Sequence, residues 1–242
     1  MTTTPRSAAP RSAVHWAEGE GLSFELNGTL VTPDVSGALY WPEERTLIVA
    51  DLHFEKGSSF AEKGVLLPPY DTRATLAALA AACARHRPER VVSLGDAFHD
   101  LRADARMGEE DSASLSALTR AYDWIWIAGN HDPAPPRRFG GRVMETLRLG
   151  PLLFRHEPLE GAQPGEVAGH LHPCGAVRRS GRRVRRRCFI TDGARAVMPA
   201  FGAYTGGLSV KDAAFKPLFR SYTAWLIGQN AVYPIPAREL CE

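Results

Sequence analysis

The sequence predicts an α/β fold of two mixed β-sheets packed between helices, an α/β/β/α sandwich, and three observations predict it. Three apolar runs of the first half each end in a polar cluster: Thr46–Ala50 enters Asp51-Leu52-His53, Arg90–Leu94 enters Gly95-Asp96, and residues 124–128 enter Gly129-Asn130-His131-Asp132. Helical segments separate these runs, which is the pattern of a parallel sheet with helical crossovers. The second half reads almost entirely as strands. In open α/β sheets, sites collect at the carboxyl ends of strands, so the three clusters point to one shared site.

The elements follow in order. Residues 1–14, rich in Thr, Ser, Pro, Ala and Arg, bury too little apolar surface to offset chain entropy and are expected to form a disordered tail before a single domain at 15–242. Residues 22–26 and 29–31 alternate around Asn27-Gly28, a strong two-residue hairpin turn. A second pair is expected from 38–41, a turn at 42–45, and Thr46–Ala50. Asp71 is placed to cap a helix over 71–87, with Leu76, Leu79 and Cys83 on one face and Pro88 as its stop. A helix over 112–122 leads into the third polar-ended strand. Later strands are expected at 152–156, 166–170, 188–191, 222–227 and 231–235, and an Arg-rich hairpin at 176–187.

Composition sets limits. The chain has 242 residues, 44% apolar and 23% charged, enough to bury a substantial core. Its 29 basic and 27 acidic residues nearly cancel, so only local charge can recruit a polyanion. Cys83, Cys174, Cys188 and Cys241 form no CxxC pair, which argues against a zinc ribbon or dithiol site. The first residues carry Pro and Arg where a secretory signal needs an apolar run, and no long uncharged apolar stretch follows. A cytoplasmic location without a membrane partner is expected.

The chemistry lies in Asp51-Leu52-His53, Gly95-Asp96, Gly129-Asn130-His131-Asp132, His156 and Gly169-His170-Leu171-His172. All the metal-binding side chains here offer oxygen or imidazole nitrogen, a mixture that suits manganese, and also iron or zinc, better than metals seeking thiolates. Residues two apart at a strand end point the same way, so Asp51 with His53, and His170 with His172, can each present a pair. Two cations roughly 3.5–4 Å apart clamp phosphate oxygens and need one shared carboxylate, for which Asp96 is the candidate. A lone Asp or His at a strand end is more often a cap or a turn residue; the ordered set is what carries weight.

That order resembles the calcineurin-like metallophosphoesterase superfamily over residues 47–175. The resemblance implies two divalent ions, one held by Asp51, His53, Asp96 and His172, the other by Asp96, Asn130, His156 and His170. It implies also that His131 acts near the leaving group, and Asp132 is placed to orient its ring. In one respect the chain departs from the pattern: His156 is followed by Glu157-Pro158, where many members have Gly.

The segments 51–61, 67–73 and 95–100 are similar to a narrower family, the bacterial ligase-associated DNA damage response metallophosphoesterases. This implies a manganese-dependent endonuclease acting on single-stranded DNA, associated functionally with an ATP-dependent DNA ligase, a helicase and an exonuclease. The hairpin after His172 holds seven Arg residues; Arg178, Arg179, Arg182 and Arg183 are candidates to track a phosphate backbone. Lys56 and Arg73 are further candidate phosphate contacts, and His99 can reach the edge of the site. The alternative within the class is a phosphatase or pyrophosphatase acting on a small or lipid-linked phosphoester. A nucleic-acid-binding module with structural metals is the alternative outside it.

Overall fold

The computed structural model describes residues 14–17 and 20–242, with side chains from Leu22 onward. Residues 1–13 of the expected tail lie outside the described residues.

The first sheet runs in spatial order β1 (Val14–Ala17), β2 (Glu20–Leu26), β3 (Thr29–Pro33), β4 (Leu39–Trp41), β5 (Thr46–Ala50), β6 (Arg90–Leu94), β7 (Asp123–Ile127) and β8 (Arg142–Met144). Neighbours are antiparallel as far as β5 and parallel from β5 to β8. The β2–β3 turn forms as expected, because Asn27 and Gly28 both tolerate the positive φ angles, 48° and 83°, that such a turn demands. β8 was not expected: it is short and largely exposed, with no alternation to mark it.

Four helices accompany this sheet, α1 (Lys56–Glu62), α2 (Asp71–His86), α3 (Ala103–Arg106) and α4 (Glu109–Ala121). Leu76, Leu79 and Cys83 of α2 are buried on one face as their spacing requires. Asp71 does not cap α2. It is the first helical residue, and its carboxylate instead accepts the Gly57 N–H of α1 at 2.9 Å. α4 starts three residues before the expected 112, since Glu109, Glu110 and Asp111 in its first turn complement the helix dipole.

The second sheet is built from β9 (Thr146–Leu149), β10 (Leu152–Arg155), β11 (Glu166–Ala168), β12 (Cys174–Arg179), β13 (Arg182–Thr191), β14 (Ala196–Val197), β15 (Thr223–Ile227) and β16 (Val232–Pro236). Its order is β16-β15-β13-β14-β11-β10-β9, with β12 paired to β13 off that path. The second arm of the expected Arg hairpin and the expected strand at 188–191 are one continuous β13, whose first half pairs with β12 and whose second half pairs with β15.

The inner faces of the two sheets meet in one apolar layer that includes Phe24, Trp41, Ile48 and Ile125 from the first and Phe154, Phe189 and Trp225 from the second. The outer face of the first sheet packs Leu47, Val49, Trp124 and Trp126 against Leu76, Leu79 and Leu115 of the helices. Over the outer face of the second sheet lie Val210, Phe215, Leu218 and Phe219, from irregular chain and a short 3-10 turn. All four cysteines are free, three of them buried. Among the described residues no helix is long and apolar enough to cross a membrane.

Candidate metal centre

The loops that leave β5 and β6 are zipped to each other. His53 N–H donates to Asp96 O at 2.9 Å, Phe54 N–H to Ala97 O at 2.8 Å, and His99 N–H to Phe54 O at 3.0 Å. Carboxylates cross-link the remaining loops. His170 N–H donates to both oxygens of Asp51, at 3.2 and 3.0 Å, and His131 N–H donates to Asp96 Oδ1 at 2.9 Å. Loops from both sheets therefore meet at one edge of the sandwich.

The side chains gather in two clusters, Asp51 with His53 and His172, and Asp96 with His156 and His170; within each, the ligand atoms lie within 4.8 Å of one another. Asn130 Oδ1 joins the second cluster, 2.7 Å from His156 Nε2 and 3.1 Å from His170 Nδ1. His156 thus faces Asn130 and His170, as the ligand assignment requires, despite the Glu157 that follows it.

The backbone presents these groups differently from the expected strand pleat. Asp51, His53, Asp96, His170 and His172 all take positive φ, between 46° and 68°, beyond the strand ends. Such backbone is uncommon for non-glycine residues and clusters at functional sites. Glycines make the approach possible. A Cβ on Gly95 would meet His156 Nδ1 at 2.4 Å, and one on Gly169 would meet Asp51 Oδ2 at 2.6 Å.

Divalent ions fit this set. His156 Nδ1 lies 3.0 Å from Leu94 O, which makes it the protonated nitrogen and turns the Nε2 lone pair toward Asn130 Oδ1. Two electron-rich atoms at that separation call for a cation between them. Both ring nitrogens of buried His53 lack any hydrogen-bond partner, and His172 Nε2, although 3.3 Å from Asp51 Oδ1, makes no hydrogen bond. Burial, reinforced by His172 and Lys56, lowers the His53 pKa to about 2. Burial and His156 likewise lower that of His170, so both rings stay neutral, the form that binds metal.

His131 is exposed, with Nε2 4.0 Å from Asp96 Oδ2. Its orienting partner is the His99 carbonyl, 2.9 Å from Nδ1, and not Asp132. Asp132 is turned inward, where its Oδ2 accepts N–H groups of Ala97 and Phe98 at 2.9 and 3.1 Å. Burial, with Asp96 close by, pushes its carboxyl up to about 7. Nothing in the sequence distinguished the His99 carbonyl from any other. The His99 ring is half-buried, stacked on His131 at 5.5 Å and edge-on to His53 at the same distance.

The remaining candidates divide. Lys56 is half-buried at the start of α1, and its charge is felt by both His53 and His99. Arg73 is not brought to the site: its guanidinium is engaged by Glu110 at 2.7 Å and Asp111 at 3.4 Å, between α2 and α4. Arg178, Arg179, Arg182 and Arg183 stand exposed around the tip of the β12–β13 hairpin.

Two stacked sheets with paired carboxylate–imidazole clusters at one edge define a metal-dependent hydrolase of phosphate esters. Residues 44–183 match the calcineurin-like phosphoesterase family, and the chain belongs to it. Among solved structures, the chain resembles the Pseudomonas putida nuclease MPE at 32% identity and a TM-score of 0.68, over 88% of this chain and 98% of that one. A weaker likeness, 12% identity and TM-score 0.41 over 78% of this chain and 97% of the other, is to YfcE, a phosphoesterase from E. coli. Comparison with curated proteins found no match.

Proposed function

We propose that this chain is a manganese-dependent endonuclease that incises single-stranded DNA. The observation that carries the proposal is the pair of ligand clusters, each within 4.8 Å, with exposed His131 beside the carboxylate of Asp96. The likeness to the Pseudomonas putida nuclease supports a polynucleotide as the phosphodiester. Asp51, His53, Asp96 and His172 would hold one ion and Asp96, Asn130, His156 and His170 the other, with Asp96 in both sets. The oxygen and imidazole set, free of thiolate, accepts manganese, with iron or zinc as alternatives. Such a pair of ions would supply Lewis acidity toward the phosphate and an activated water as nucleophile.

The side chains then have separate tasks. His53 and His170, kept neutral by burial, offer lone pairs and not protons. His131 holds its Nδ1 proton against His99 O, which leaves Nε2 facing the site; a ring carrying a second proton there, as imidazolium, gives that proton to the departing oxygen as the P–O bond breaks. Lys56 contributes positive charge at the edge of the site where the phosphate enters.

The test is cleavage of end-labelled single-stranded DNA by metal-stripped protein resupplied with manganese, with bis-p-nitrophenyl phosphate in parallel. Nicking should depend on manganese, and His131→Ala should slow it by about 10²–10⁴-fold. Hydrolysis of the small ester without nicking would move the substrate to a small phosphoester, the phosphatase or pyrophosphatase alternative. No turnover with any divalent metal would remove the proposed activity altogether.

A further inference from the structure

The arginines expected to meet substrate were those around the hairpin tip, but the structure draws attention to its base. Cross-strand partners share a face, and the register pairs Cys174 with Arg187, Ala176 with Arg185, and Arg178 with Arg183. Arg183, Arg185 and Arg187 therefore repeat along one face at roughly 6.6–6.8 Å, a step comparable with successive phosphates of an extended strand. Opposite Arg185 and Arg187 stand only the small side chains of Ala176 and Cys174. Beside them opens a groove of about 450 Å³, lined in part by Cys174, Arg185, Arg186, Arg187, Thr205 and Gly206.

The charge in this groove is uncompensated. Among the described residues neither Arg185 nor Arg187 pairs with a carboxylate, whereas Arg45, Arg73, Arg90, Arg106 and Arg142 elsewhere all do. The groove arginines are fixed by carbonyls instead. Arg187 Nη1 donates to Ala200 O at 2.6 Å and Phe201 O at 3.2 Å, and Arg185 Nη2 donates to Gly207 O. Carbonyls orient a guanidinium without neutralising it, so the remaining N–H groups are held ready for an anion.

The groove also adjoins the metal centre. Cys174 follows His172 by two residues, and a Cβ on Gly207 would lie 2.0 Å from His172 O. In the same segment, Phe201 N–H donates to Ala50 O at 2.8 Å and Gly202 N–H to Asp51 O at 3.2 Å. One wall is thus anchored to the loops of the Asp51, His53 and His172 cluster.

We propose that Arg185 and Arg187 hold a non-scissile phosphate of the polynucleotide strand in this groove, on the His172 side of the metal centre. The assignment rests on the endonuclease function proposed above. The tip arginines, by contrast, add only diffuse attraction.

The test uses the full, metal-loaded chain carrying His131→Ala to suppress cleavage. Binding of a fluorescein-labelled oligothymidylate is followed by anisotropy over a range of salt concentrations. Adding Arg185→Gln should weaken binding about tenfold, the loss of one charge-assisted contact. It should also shrink the slope of log affinity against log salt by about 0.7. Arg185→Lys should restore most of the slope, and Arg179→Gln with Arg182→Gln should change affinity less than Arg185→Gln does. Thermal midpoints check that each variant is folded.

Equal affinity with and without Arg185→Gln, or a loss matched by the tip pair, overturns the groove. So does poly-glutamate competing as well as the oligonucleotide at equal charge. If the wild-type chain hydrolyses bis-p-nitrophenyl phosphate but neither binds nor nicks the strand, the endonuclease function itself falls and the groove with it. That result is distinct from a strand bound equally by both variants.

Discussion

A methyl group at Gly129 would land 2.2 Å from the backbone nitrogen of Asp96 and 2.3 Å from its Oδ1. Neither atom can retreat, since Asp96 already sits at φ 46° and its Oδ1 receives the His131 N–H. Gly129→Ala is expected to cost about 1–3 kcal/mol and to displace the carboxylate proposed to be shared by the two ions. Urea unfolding and manganese titration check this; unchanged stability with two ions bound would contradict it. Asp34 gives a second prediction. Burial alone would raise its pKa, but hydrogen bonds from His86, Arg85 and Ser36 outweigh burial and hold the carboxyl well below the usual range. A depressed folded pKa gives stability that is complete above the unfolded value of about 3.9 and is lost as pH falls through the folded value. Asp34→Asn should therefore cost about 1–3 kcal/mol at pH 7 and flatten the decline of stability below about pH 4. Urea midpoints at pH 7 and pH 3 measure both, and equal losses at the two pH values would argue against the linkage.

Among the elements, α1 is held from outside itself. Gly57, Ser58, Ser59 and Phe60 make up four of its seven residues and are weaker helix formers, and its N-cap residue Glu55 makes no side-chain cap. The Asp71 carboxylate serves in its place, and Thr72 Oγ1 both accepts the Glu55 N–H at 2.8 Å and donates to Glu55 Oε1 at 2.9 Å. Asp71→Ala is expected to cost about 1–2 kcal/mol and to raise hydrogen exchange across α1 while leaving α4 protected. Uniform exchange across both helices would mean that α1 does not loosen separately. This contact, spanning 14 residues, shows why α1 was illegible in the sequence while α2 was not: α2 declares itself by the spacing of Leu76, Leu79 and Cys83. β5, β6 and β7 were legible for a similar local reason, each an apolar run ending in Gly or Asp. The residues of the two clusters were legible by type and order. Their left-handed backbone was not, because only the packing of one loop on another imposes it. Asp132 was misplaced because adjacency to His131 says nothing of where the chain turns next. Arg185 and Arg187 were passed over because the groove beside them needs residues 205–206, distant in sequence.

For the whole molecule, the two clusters join both sheets. Asp51, His53, Asp96 and Asn130 follow strands of the first sheet, whereas His156, His170 and His172 follow strands of the second. Five of these residues hold positive φ, a conformation costing roughly 1–3 kcal/mol each, and His156 Nε2 lies 3.1 Å from His170 Nδ1. The edge where the sheets meet is therefore a place of backbone strain. Each ion should bind only the folded chain, because the unfolded chain does not assemble residues as distant as Asp51 and His172. Metal should therefore act on the stability of the entire sandwich. At a free manganese concentration of 100 times the dissociation constant, each site should add about 2.7 kcal/mol, so chelation should lower the thermal midpoint of the sheets as one cooperative unit. Circular dichroism melts across a manganese series measure the shift. A midpoint that ignores manganese would mean that the loops are held equally well without ions. A shift confined to one of two resolved transitions would mean that the clusters do not tie the sheets together. The expected single moving transition follows from the placement of the ligands, because no ion can be removed without releasing side chains from both sheets when Asp51 and His53 share one cluster with His172, and Asp96 shares the other with His156 and His170.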